Sequence, residues 1–334
     1  MNPITGVEAL VRRLDSWQQR HRPVAFVVGV IKKFNDDEAG TLVALLAYYA
    51  FVATFPLLLV LVTAAGIVLR DSPGLRQQVV DSAFSEFPIV GAQLHEQLGV
   101  TALGNTGLAL TVGIAGSIWG ARGFAAAVQK TLNTVWAVPR VDRPAFPLNY
   151  VRALGLLAVL GLTIVVAVTA AAMGAAGEAL GLGALPVRIL VVAVSGLLDG
   201  ALFLAAFRLA TAGVVATRSM IPGAFAAGMA WQLLSNLAGV LLAHTLRHAE
   251  AVAGLFGVVL GLLSWFALQA TVTLYAVEAD VVRSRGLWPR GLSQPPLTSA
   301  DKSYLIAATG AETRSPEQRV EIGFTPAADR PPEE

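Results

Sequence analysis

Cysteine is absent from the chain, so disulfides, thiolate metal sites and cysteine nucleophiles are excluded. Charge is scarce as well. Asp, Glu, Lys and Arg make up 14% of the 334 residues, against about 25% in an ordinary soluble domain. The chain has only four histidines and shows no Walker loop, no GxSxG and no Rossmann fingerprint, which removes the common templates for nucleotide binding and hydrolysis. His244 and His248 stand at i, i+4 with Glu250 nearby. However, HTLRH lacks the glutamate of HExxH and the spacing fixes no third ligand, so the pair reads as interfacial histidines. We expect no catalytic residues, no metal and no cofactor.

What the chain does have is apolar length. Hydrophobic residues make up 55% of it, and crossing a bilayer core as a helix takes about 20 mostly apolar residues. The fold class predicted is all-α: a polytopic membrane protein built as a six-helix bundle. Spans are expected at residues 42–69, 106–121, 151–174, 187–208, 222–244 and 254–279. The first apolar run starts only after about 40 residues and is much longer than a signal h-region, so no cleavable signal peptide is expected.

Lysine and arginine set the orientation, because they are enriched in segments left in the cytoplasm. Residues 1–41 hold six, 122–149 four, 209–221 one and the C-terminal segment seven; the alternate connections 70–105, 175–186 and 245–253 hold two, none and one. Both termini are therefore expected in the cytoplasm. The formal net charge of +2 fits anionic lipid at the cytoplasmic face better than a nucleic-acid groove, and no nucleic-acid partner is expected. A homo-oligomer is left open.

The segment 1–41 is predicted as cytoplasmic amphipathic helices. Val7, Leu10, Val11, Leu14 and Trp17 recur at helical spacing while Arg12, Arg13, Arg20 and Arg22 take the polar remainder, as suits a membrane surface or a partner-binding arm. A second short helix is expected over 24–34, ended by the polar turn Asn35-Asp36-Asp37-Glu38. In the 70–105 connection, Ser72-Pro73 opens a helix whose Leu75, Val79, Ala83 and Phe87 suit the outer membrane surface. Residues 286–334, with seven prolines and scattered charges, are predicted to be a disordered cytoplasmic tail.

Within the spans, polar and helix-breaking residues are the candidates for function. Pro56 has no amide hydrogen, so the carbonyl of Val52 loses its usual partner and the first span is expected to bend. A freed carbonyl in lipid needs another donor, so this region should face protein or water. Tyr48 lies near the face of Val52 and Phe55, with Tyr49 about 100° away. The pattern fits a hinge or cavity wall, and equally a packing kink. Asp199, near the middle of the fourth span, is either a functional carboxylate or a neutral acid that locks helices together. Gly228, Gln232 and Asn236 form a four-residue-step stripe that suits close packing or a polar path.

These motifs resemble the YihY/BrkB family of membrane proteins, once labelled ribonuclease BN, from about Phe34 to Arg283. The resemblance rests on LAYYAFVATFPLLL (Leu46 to Leu59), SIWGARGFAAAVQKTLNTVW (Ser117 to Trp136), the Pro222-Gly223-Ala224 triplet and Glu278. Ala276-Val277-Glu278 stands where the family has Gly-Ala-Glu, and Leu209-Ala210-Thr211 where a Leu-Pro pair is expected. The resemblance implies a six-helix plasma-membrane protein linked to envelope integrity, with transport of a lipid or envelope precursor suspected and no established catalytic residues. The alternative is a non-transporting scaffold; a ribonuclease or other hydrolase fits least. The candidate cavity or functional residues are thus Tyr48, Tyr49, Pro56, Arg122, Asp199, Gln232, Asn236 and Glu278.

Overall fold

The computed structural model describes residues 3–68, 74, 106–159, 161–163, 184–245, 254–292 and 296–325. Among these there is no strand. The helices are α1 (Pro3–Arg20), α2 (Arg22–Asp36), α3 (Ala39–Val68), α4 (Thr106–Val135), α5 (Leu148–Thr163), α6 (Ala184–Ala210), α7 (Thr217–Thr245), α8 (Gly254–Arg285) and α9 (Ser299–Gly310). A short 3-10 turn, Arg140–Asp142, precedes α5. The expected outer-surface helix at 75–87 lies outside the described residues, as does His248.

By length and composition, two described segments can cross a membrane, Val192–Ala210 and Val259–Arg285; Ala39–Thr54 and Leu148–Thr163 are shorter apolar helices. Outward apolar side chains on α4 to α8 are what lipid would cover: Trp119, Leu154, Ile189, Leu197, Leu237 and Leu260 are all exposed. Helices α3 and α4 form one packed pair, α6 and α7 another, and α8 lies against both.

Each pair closes through glycine. A Cβ built on Gly120 would stand 2.9 Å from the Cα of Ala53, and one on Gly123 would stand 2.5 Å from the Tyr49 ring. Gly228 likewise meets the backbone of Gly200, where a Cβ would lie 2.7 Å from the Gly200 Cα. Without a hydrophobic force between helices in lipid, such close backbone approach is what holds them.

The large buried side chains gather at one end of the bundle, where α2, the start of α3, the end of α4, the start of α7 and the end of α8 converge. Phe34, Leu42, Leu46, Leu132, Trp136, Met220, Leu274 and Val281 form this core. The Phe34 ring stacks on Tyr275 at 4.2 Å between centroids.

Two expectations need correction, and one helix outruns its expected span. Helix α4 continues beyond 121 to Val135, and the next proline is Pro139. The fifth helix does not open at Pro222, since α7 begins at Thr217 and carries Pro222 inside it, as its sixth residue. The C-terminal segment is not a disordered tail through its described length. Residues 296–325 include α9, which opens on a capping box of Thr298 and Asp301, and Arg290, Ala300 and Asp301 are buried. The partners that order it come from α1 and α2, some 270 residues earlier, and composition carries no trace of them.

Candidate functional site

Inside the bundle, Asp199 and Gln232 meet. The Gln232 Nε2 donates to Asp199 Oδ2 at 2.6 Å, one turn from the Gly200/Gly228 contact, and Asp199 is buried. The backbone approach thus sets the reach of the side-chain bond. Tyr49 packs on Gly123 and turns inward, whereas Tyr48 is exposed. Arg122 is exposed on α4 and donates to the Tyr150 hydroxyl at 2.7 Å, with its guanidinium 5.0 Å from the ring centroid. Helix α3 is continuous through Pro56, and Asn236 lies within α7, but the side chains of both, like that of His244, lie outside the described set.

Helix α8 carries a different feature one turn apart. Trp265 and Gln269 are buried, and the indole N–H and the Gln269 amide N–H₂ have no hydrogen-bond partner among the described residues. At spacing i, i+4 both point to one side of the helix.

The densest chemistry lies at the end of α8. Lys33 is 2% exposed and places all three ammonium protons: on Glu278 Oε2 at 2.8 Å, on Asp37 Oδ2 at 2.5 Å and on the Val135 carbonyl at 2.8 Å. One side chain of α2 thereby ties α8 to the end of α4. Glu278 is wholly buried, and its second oxygen, Oε1, has no partner among the described residues. Tyr304 of α9 donates to Asp37 Oδ1 at 2.8 Å. Burial, and then the adjacent Asp37 carboxylate, push the Tyr304 phenol well above its usual range, so it stays a donor.

A second knot sits beside the first. The Arg290 guanidinium is buried and bonds Asp301 Oδ1 through Nε at 2.9 Å and Asp36 Oδ2 through Nη2 at 2.9 Å, while lying 4.4 Å over the Tyr304 ring. Asp301 also accepts from Lys32, the Gly291 amide and both the amide and hydroxyl of Thr298. Burial works against ionisation of Asp301, but the Thr298 hydroxyl, the Gly291 amide and Arg290 outweigh it and hold the carboxyl at about 2. On α1, Asp15 accepts from the Leu292 amide at 2.9 Å and Gln18 donates to the Arg290 carbonyl at 2.8 Å.

Two further clamps fix the turns at this end. Asn133 donates to the Ala210 carbonyl at 3.0 Å and accepts from the Ala212 amide at 2.9 Å, so it holds the turn between α6 and α7 from both sides. Asp280 Oδ2 accepts from the Gly223 amide at 2.9 Å, beside Pro222, and Arg283 reaches the Ser219 carbonyl.

Of the residues singled out in the sequence, the fold joins Asp199 with Gln232 and sets Glu278 in a buried ion cluster; Tyr48 and Arg122 lie apart from both. Lys33, Asp37, Arg290, Asp301 and Tyr304 escaped the sequence reading. Lys33 and Asp37 are spaced i, i+4, which signals a helical ion pair but not its burial. Among the described residues no group of three His, Asp or Glu could hold a metal ion.

No solved structure matches this chain. Over 276 residues it is 25% identical to the inner membrane protein YhjD of Escherichia coli (strain K12), covering 77% of this chain and 80% of that one. The family model described as virulence factor BrkB matches residues 30–296, which takes in the Lys33, Asn133, Gly228 and Glu278 contacts, and the chain therefore belongs to the BrkB family of membrane proteins.

Proposed function

We propose that this protein is a multipass inner-membrane protein that supports envelope integrity by accommodating or moving an amphipathic envelope component, a lipid or lipid-borne precursor. It would do so through six crossings, with both termini in the cytoplasm. The observation that carries this reading is the pair of unpartnered donors on α8. Burying a polar group without a hydrogen bond costs about 2–7 kcal/mol, and in hydrocarbon no water repairs it. Trp265 and Gln269 sit in the apolar stretch Val259–Arg285 and offer N–H groups with no acceptor among the described residues. The ester or phosphate oxygens of an amphipath are the acceptors such a site would take. The inner-membrane placement draws support from the name of the Escherichia coli relative.

The scaffold reading also has an observation in its favour. Asp199 and Gln232 satisfy one another across a glycine contact, as residues that cement two helices do. One experiment separates the readings: Trp265→Phe and Gln269→Leu, each purified and analysed for bound lipid by mass spectrometry, then tested for rescue of an envelope defect in a strain lacking the protein. Removing a donor that has no partner among the described residues should leave melting temperature unchanged or raised. Loss of bound lipid and of rescue in such well-folded variants is the expected result. Retention of both would leave the scaffold.

A further inference from the structure

The first helix is mounted inside out. In α1 the polar residues Asp15 and Gln18 are buried, turned onto the 290–292 segment, while Leu10, Leu14 and Trp17 are each more than half exposed. Those three recur at steps of four and three and so share one stripe. On α2, Val27 and Ile31 repeat the pattern one turn apart, at 53% and 47% exposure. In water this arrangement would be unfavourable, since about 25 cal/mol is lost for each Å² of apolar surface left uncovered.

Charge says what covers the stripe. Arg12, Arg13, Arg20 and Arg22 are exposed and make no ion pair among the described residues. Between Leu10 and Phe34 the only acidic side chain is Asp15, and it is buried. The two lysines of this stretch, Lys32 and Lys33, are turned inward to Asp301 and Glu278. What remains outside is an apolar stripe edged by uncompensated arginine, which is the surface an interfacial helix presents to an anionic bilayer.

We propose that α1 and α2 lie in the headgroup boundary of an anionic leaflet, with Leu10, Leu14, Trp17, Val27 and Ile31 in the acyl region and the arginines on the phosphates. In this arrangement the 290–292 segment is the strap that sets the rotation of α1. Its grip on Asp15 and Gln18 prevents the helix from turning its apolar stripe inward. The inference stands apart from the transport reading, because it concerns a surface distant in sequence from the α8 donors.

The chain's lack of cysteine makes the test direct. Leu14→Cys and Ser16→Cys, two residues and so about 200° apart on the helix, are labelled with an environment-sensitive fluorophore in the full-length protein. The labelled proteins are placed in nanodiscs of phosphatidylcholine alone or with phosphatidylglycerol. The expected result is a blue-shifted label at 14, shielded from acrylamide and quenched by brominated acyl chains, with a water-exposed label at 16. The contrast should strengthen with phosphatidylglycerol and weaken when the four arginines are changed to Gln. Equal water exposure at the two positions would overturn the proposal, and so would shielding at 14 that ignores both phosphatidylglycerol and the arginine changes. A third variant, Gln18→Ala in the Leu14→Cys background, should narrow the difference between the two sites while leaving the melting temperature of the bundle close to the parent's; an unchanged difference would remove the strap.

Discussion

The interior of the bundle and the end where α2, α8 and α9 meet are held by opposite means. Between α6 and α7, two backbones touch at Gly200 and Gly228 and a side-chain hydrogen bond, Gln232 to Asp199, sits beside them. At the other end, Lys33, Glu278, Asp37, Arg290 and Asp301 form a largely buried ionic lattice, reached from the surface by Asp36, in which each charge leans on at least one other. The first arrangement loses little when one member is removed, because closely packed backbones remain. In the second, removal of one charge strands its neighbours away from water.

That contrast can be broken most sharply at Lys33. Lys33→Met leaves Glu278 and Asp37 buried with no cation, and should cost about 3–5 kcal/mol, read as a large fall in melting temperature or failure to accumulate. Pairing it with Glu278→Met should recover much of the loss, because an apolar pair can replace a buried ion pair. A single variant no worse than the double would show that the lattice is not what holds this end.

Asp301→Ala should come next, at about 2–3 kcal/mol, as the α9 cap and two charged hydrogen bonds go together. Its pH dependence has a definite sign. The folded carboxyl is held at about 2, below the ordinary value near 4, so its stabilisation is fully present above pH ~4 and is lost as pH falls through about 2. Stability of the parent should therefore drop across that window more steeply than that of Asp301→Asn, as followed by hydrogen exchange of α9.

Asp199→Ala should cost only about 0.6–1.7 kcal/mol, the range of interhelical polar bonds in membrane bundles. A loss as large as that of Lys33→Met would erase the distinction between the two regions. The smallest effect expected is a gain: Ala137 holds φ +44 just past the end of α4, where glycine is at ease, so Ala137→Gly should raise stability by up to about 1 kcal/mol.

The same contrast decides what the sequence could reveal. Apolar runs mark α3, α6, α7 and α8 because lipid demands composition, and the Gly228/Gln232 stripe was legible because packing in lipid demands small residues at helical spacing. The glycines at 120 and 123 lie within a family motif, but nothing local says that Tyr49 and Ala53 oppose them. The ionic lattice was hidden for a different reason. Lys33 and Glu278 are 245 residues apart, and Gln18 reaches the Arg290 carbonyl over 272. A charge in a basic, amphipathic stretch reads as a solvated one until its distant partner is placed. The proline-bearing C-terminal segment was misread for the same cause, since its order depends on α1 and α2 rather than on its own core.

The joining of α1 to residues 290–292 turns the linear chain into a closed loop with the membrane helices strung between its ends. Translation proceeds from the N-terminus, so α1 is made before α8 yet cannot take its final bonds until α8 and the segment after it have been made. The clasp can therefore close only on a chain in which residues 290–292 have reached α1. A chain that stops short of these residues, or that places its final helix the wrong way round, leaves Asp15, Gln18, Lys32 and Lys33 without the groups they grip.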